Sequence, residues 1–175
     1  IFYEDVGETR FREALELIER YDGAGDGRIT CILAPHGADM MSEELLLRVK
    51  EKAGELGKLA HIHVAQGGRE EIQMRLRYGT TTIRYLDSIG YLDDGLIAAH
   101  CHQTTDDEVA LLASRGVRYA SCPASIAGID GITPPLALFL RSGGRYATIG
   151  SDQAPGNGHH NMLVEMKVAA LLNKT

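Results

Sequence analysis

The chain has 175 residues, enough for one domain with a sizeable core, and its 44% hydrophobic and 24% charged residues are ordinary for a soluble globular fold. A formal charge of −6 leaves no basic footprint for nucleic acid and no polybasic surface for anionic membranes. No run reaches the roughly 18 apolar residues of a membrane helix, and no signal peptide is visible. Cys31, Cys101 and Cys122 form no C-x-x-C pair and lie in apolar, strand-like runs, so buried free thiols and a reducing, cytoplasmic setting are expected. The start at Ile1, without methionine, and the stop at Thr175, just after a helical pattern, predict a piece of something longer.

In chain order, apolar spacing predicts a helix over Phe11–Tyr21, then a glycine-rich loop over 22–28. Ile29–Ala34 reads as a buried strand closed by Pro35-His36-Gly37. Ser42 is the expected N-cap of a helix running to Leu56, with Gly57 as its stop. Ala60–Gln66 reads as a second strand, followed by helices over Arg69–Tyr78 and Thr82–Ile89. Leu96–Cys101 is the third strand, and Thr105-Asp106-Asp107-Glu108 opens an acidic helix ending at Gly116. Val117–Cys122 is the fourth strand, Pro134–Arg141 a short helix, and Arg145–Gly150 the fifth strand. After a loop over 153–158, His160–Leu172 is helical in pattern. Five strands, each followed by a helix, predict a parallel α/β sheet with right-handed crossovers.

In a strand, residues two apart share a face, so His61 and His63 point together while Ile62 and Val64 face away. His63 lies nearer the carboxyl end, where sites gather in parallel sheets. Taken alone, this His-x-His also fits a strand with one buried, hydrogen-bonded histidine. The other strand ends carry polar residues too: His36, Gln66, His100, Ser121 with Ser125, and Asp152. Imidazole and carboxylate on one rim are the usual ligands of zinc and related divalent metals.

Leu59–Gln66, Leu96–Cys101, Ala120–Ser125 and Ile149–Asp152 together resemble, in order and spacing, the later strands of the amidohydrolase superfamily. The resemblance is to the branch with S-adenosylhomocysteine/methylthioadenosine deaminases, guanine deaminases and triazine chlorohydrolases. Ala34-Pro35-His36 fits that family's fourth barrel strand, and Asn161–Met166 the helix beyond its eighth. The resemblance implies a partial (β/α)8 TIM-type barrel in one domain over 1–175, carrying strands four to eight. The first strands and any C-terminal β domain would lie outside it. It implies His63 and Asp152 as metal ligands, with Asp152 also taking a proton from the attacking water. It makes His100 the group that polarises the substrate or orients that water, and His36 and Gln66 substrate contacts. The implied cofactor is a divalent metal, zinc or alternatively iron. The implied activity is hydrolytic deamination or dechlorination of a nitrogen heterocycle such as a purine, pterin or triazine, in a homo-oligomeric parent protein.

Three departures from that pattern matter. The family's first-strand His-x-His pair, which supplies two ligands, is absent from this chain. Gln66 stands where the family has a ring-protonating Glu, and an amide cannot transfer a proton as a carboxylic acid does. Ser125-Ile126 replaces the usual Ser-Asn. Two alternatives therefore stand beside the enzyme: a non-catalytic barrel remnant or small-molecule binding module, and a flavodoxin-like domain, although no glycine-rich phosphate loop follows the first strand.

Overall fold

The computed structural model describes residues 4–153, 158 and 160–174. Helix α1 (Glu4–Tyr21) leads through a glycine-rich loop and a single 3-10 turn (Ala38–Met40) into α2 (Glu43–Glu55). Then follow β1 (Ala60–Val64), α3 (Gly68–Tyr78), α4 (Thr82–Ser88), β2 (Leu96–His100), α5 (Asp106–Ser114) and β3 (Arg118–Ser121). The chain continues through α6 (Pro123–Ile129), α7 (Leu136–Arg141), β4 (Tyr146–Ile149) and α8 (Met162–Leu172). The four strands form one parallel sheet in the order β1-β2-β3-β4. Among the described residues, no helix is long and apolar enough to cross a membrane.

Local chemistry sets the element boundaries. The Ser42 hydroxyl accepts from Leu45 N at the start of α2, and Gly57, at φ +64, supplies the left-handed residue that stops it. Thr105 and Glu108 form a reciprocal capping box on α5, satisfying two otherwise orphaned amides. One sheet face packs against helices. Ile62, Val64, Leu96, Ala98 and Tyr119 meet Leu46, Met74, Leu86, Leu112 and Phe139 in one buried cluster, each large apolar side chain stabilising the fold by about 2 kcal/mol. The other face carries His61, His63, Ile97, Ala99, Ala120 and Thr148, and of these Ala99 alone is buried. A parallel sheet normally has both faces covered; here one side is helix-packed and the other stays open, as in a barrel wall seen from within.

The expected first strand is the main correction. Ile29–Ala34 touches the sheet through isolated parallel bridges at Leu33–Ala60 and, beyond it, Gly37–His63. Leu33 pairs with the neighbouring strand, donating to Leu59 O and accepting from His61 N, but the backbone before it is engaged elsewhere: Ile29 O accepts from Gly23 N and Cys31 N donates to Asp22. Pro35 offers no N–H to a ladder. A second difference is α6, since no helix is expected between the strand ending at Cys122 and Pro134; proline at the first helical position is a good start. Cys101 and Cys122 are buried free thiols as expected, while Cys31 is half-buried. Of the loop expected over 153–158, residues 154–157 lie outside the described residues.

Candidate active site

The rim begins at His63. Its N–H donates to His36 O at 3.1 Å, and its Nδ1 lies 2.6 Å from the same carbonyl. A carbonyl can only accept, so Nδ1 carries the proton and the Nε2 lone pair faces outward, the state of a metal-ligating histidine. The exposed His36 ring lies 4.7 Å away, tilted at 45°. The His100 ring stacks on that of His63, 5.3 Å away and within 11° of parallel.

That stack requires a backbone distortion. His100 pairs in register with Val64, whose side chain faces the helices. An extended His100 would therefore point away from His63. Its φ of 74° breaks the alternation and re-aims the ring. Positive φ recurs at Ala65 (48°), Cys101 (48°) and Asp152 (59°), so strained backbone gathers at the carboxyl ends of three strands. Such strain in non-glycine residues costs about 1–3 kcal/mol each and clusters at functional sites. The His100 side chain is buried, and its Nδ1 has no hydrogen-bond partner. Burial pushes its pKa down to about 4, helped by His63, His102 and His61 and opposed by the carboxylate of Asp152. Burial, with the nearby His63, likewise lowers His61. Asp152 is held by Ser125 Oγ on Oδ2 and by Gln153 N on Oδ1, each at 2.7 Å.

Behind His63 the chain turns through Ala65 and Gln66. Glu70, 8% exposed, accepts from Ala65 N at 2.7 Å with one oxygen and from Gln66 N at 2.8 Å with the other. Ala65 O accepts from His102 N and Gln103 N, so the turn is clamped from both sides. Gln66 lines a cavity of about 250 Å³ with His36, His63, Arg69 and Asp130.

Burial raises the Glu70 pKa to about 7 from 4.5, against the two amides that favour the carboxylate. A carboxyl group whose folded pKa is raised contributes stability fully below its unfolded pKa and loses it as pH rises through the folded one. Unfolding by denaturant should therefore cost about 2–3 kcal/mol less at pH 8 than at pH 5 through this group. Glu70→Gln should flatten that difference; the same pH dependence in both proteins would mean that Glu70 ionises normally.

Residues 2–174 match the model of the Amidohydrolase family. The chain belongs to that family. It is 36% identical over 171 residues to a 5-methylthioadenosine/S-adenosylhomocysteine deaminase of Moorella thermoacetica, covering 98% of this chain and 40% of the relative. To a 5′-deoxyadenosine deaminase of Methanosarcina mazei it is 33% identical, covering 99% and 40%. An adenosine deaminase of Xanthomonas campestris, solved with bound zinc, superposes with a TM-score of 0.85 at 30% identity, covering 94% of this chain and 37% of that one. The atrazine chlorohydrolase of Arthrobacter aurescens, complexed with zinc, shares the fold with a TM-score of 0.83 at 23% identity, over 95% and 36%. The chain thus spans about 40% of the length of the curated relatives it matches, and its four-stranded sheet is part of an amidohydrolase barrel.

In amidohydrolase terms, the structure stacks His63 on His100, sets Asp152 close enough to act on His100, and puts His36 and Gln66 on the cavity beside His63. The donor chemistry fits a divalent metal: an outward Nε2 on His63, a carboxylate on Asp152, and an unpartnered buried nitrogen on His100. Among the described residues, no three His, Cys, Asp or Glu side chains form a group that could hold a metal ion by themselves. Three residues beside the site escaped the sequence reading: Glu70, His102 and Asp130. Glu70 looked like an ordinary acid in the first turn of a helix. His102 repeats with His100 the His-x-His spacing of His61 and His63, and that signal could have found it.

Proposed function

We propose that the complete protein is a metal-dependent amidohydrolase that uses water to deaminate a nitrogen heterocycle such as a purine, pterin or triazine. The observation that carries this reading is the His63–His100 stack beside Asp152 on a strained carboxyl rim. His63, through Nε2, and Asp152 would hold the divalent ion, zinc or alternatively iron, with further ligands from residues outside this chain. When bound, such an ion supplies Lewis acidity that brings water close to ionisation near neutral pH.

The remaining steps belong to the side chains. Asp152, oriented by Ser125 and Gln153 N, takes a proton as the water oxygen bonds to the ring carbon. His100, neutral because it is buried, polarises the substrate or orients the water. The bond from that ring carbon to the exocyclic amino group then breaks; the amino group leaves as ammonia with one of water's two protons, and the other ends on the ring nitrogen of the carbonyl product. His36 and Gln66 contact the ring, Gln66 by hydrogen bonding without acid transfer. Gln66 also favours a second reading, dechlorination, because chloride leaves without needing a proton.

We read residues 1–175 as a single partial barrel domain of a homo-oligomeric cytoplasmic enzyme. Its partner is a small heterocycle rather than nucleic acid or a membrane, in keeping with the net charge of −6. The test is ammonia release by the complete protein, with and without a chelator.

A further inference from the structure

Asp130 follows the last turn of α6. Its N–H donates to Ile126 O at 3.0 Å, and Gly131, at φ +65, ends the turn. A carboxylate there faces the negative end of the helix, which costs stability rather than adding it. The residue lines the cavity that also holds His63 and Gln66, with Ile126, Ile129 and Arg69 on the wall.

Behind Asp130 sits His102, its side chain fully buried, with Nε2 3.3 Å from Asp130 Oδ2 but outside hydrogen-bond geometry, so that neither ring nitrogen has a hydrogen-bond partner. The His102 ring meets His100 edge-on at 6.3 Å, and its backbone N–H holds the Ala65 turn. Burial keeps this imidazole neutral, with Asp130 pulling the other way. A core position gains nothing from an imidazole whose ring nitrogens both lack a hydrogen-bond partner, because an apolar side chain would avoid the desolvation cost. The pair therefore has a use at the cavity: His102 fixes the direction of a carboxylate that a ligand can reach. Arg69 on the same wall disfavours a cationic group, so neutral hydroxyl donors fit best.

We propose that Asp130 is a ligand-binding carboxylate of this cavity, positioned by His102, that accepts hydrogen bonds from hydroxyl groups on the non-reacting part of a heterocyclic substrate. The proposal rests on the deaminase reading for its substrate class, and the test separates the two. Adenosine and 2′,3′-dideoxyadenosine serve as probes of the complete protein, with affinity read by calorimetry and turnover by ammonia release. Zinc content is compared across the variants.

Asp130→Ala is expected to weaken adenosine binding about tenfold or more while kcat changes less than about threefold. Dideoxyadenosine binding should barely change. Asp130→Glu should recover part of the loss, and His102→Gln should show a smaller loss of the same sign, with zinc content unchanged. An equal loss on both probes, or no loss on adenosine, overturns the assignment of Asp130. Should Asp130→Ala fail to fold, Asp130→Asn is read against the same two criteria. Discrimination by Asp130 in a protein that binds adenosine without releasing ammonia leaves this assignment standing and removes the deaminase reading. Ammonia release with an indifferent Asp130 does the reverse, and a wild type that binds neither probe removes both.

Discussion

Replacing Asp152 by Asn is expected to lower heterocycle hydrolysis about a thousandfold, within the range for loss of a positioned general base. An amide has no basic oxygen to take the proton from water, yet it keeps the shape of the carboxylate. The hydroxyl of Ser125 can both donate and accept, so Asn can keep a hydrogen bond at the place where Oδ2 now accepts. The loss should therefore appear in kcat, with thermal stability close to wild type. Retention of more than about a tenth of the rate in Asp152→Asn would assign proton transfer to another group.

The second large effect runs the other way. Gln66→Glu should raise deamination of aminated purines or pyrimidines about a hundredfold, because an acid then stands where an amide could only hydrogen-bond. The position suits one. Gln66 lines the cavity beside His63, and its backbone N–H is pinned by Glu70. The neighbouring Glu70 carboxyl, together with partial burial, would push the introduced carboxyl group's pKa upward, toward the protonated form that a general acid requires. Dechlorination should gain much less, since chloride needs no proton. Unchanged ammonia release with metal bound would place position 66 outside the chemistry.

The positions of the four strands, several helix ends and the polar residues at the strand ends were legible in the sequence because each follows from local pattern, whereas the order of strands in the sheet followed only from the family resemblance. Alternation in Ala60–Val64 sets His61 and His63 on one face, and Ser42, Thr105 and Gly57 mark helix ends by their own chemistry. The edge segment Ile29–Ala34 pairs with the sheet only around Leu33, since its apolar composition suits a strand while Cys31 N and Ile29 O are drawn to Asp22 and Gly23. Helix α6 was missed because Ala-Ser-Ile-Ala-Gly shows no clear periodicity.

The site was legible in its residue types but not in its geometry. Register alone would turn His100 toward the helices, and a positive φ that no local pattern announces brings it onto His63. His102 and Asp130 stand 28 positions apart and meet through tertiary packing alone. Glu70 acquires its role from two amides of the preceding turn, a contact that sequence spacing does not reveal.

The most direct measurement is ammonia release from adenosine by the complete protein, before and after chelation and again after zinc is returned, with His63→Ala alongside. The expected result is turnover that chelation abolishes and zinc restores, and a His63→Ala protein that zinc does not rescue. Turnover that survives chelation, or a His63→Ala protein as active as wild type, would contradict a metal site on this rim. A folded, zinc-loaded protein that binds adenosine yet releases no ammonia would instead make the barrel a binding module.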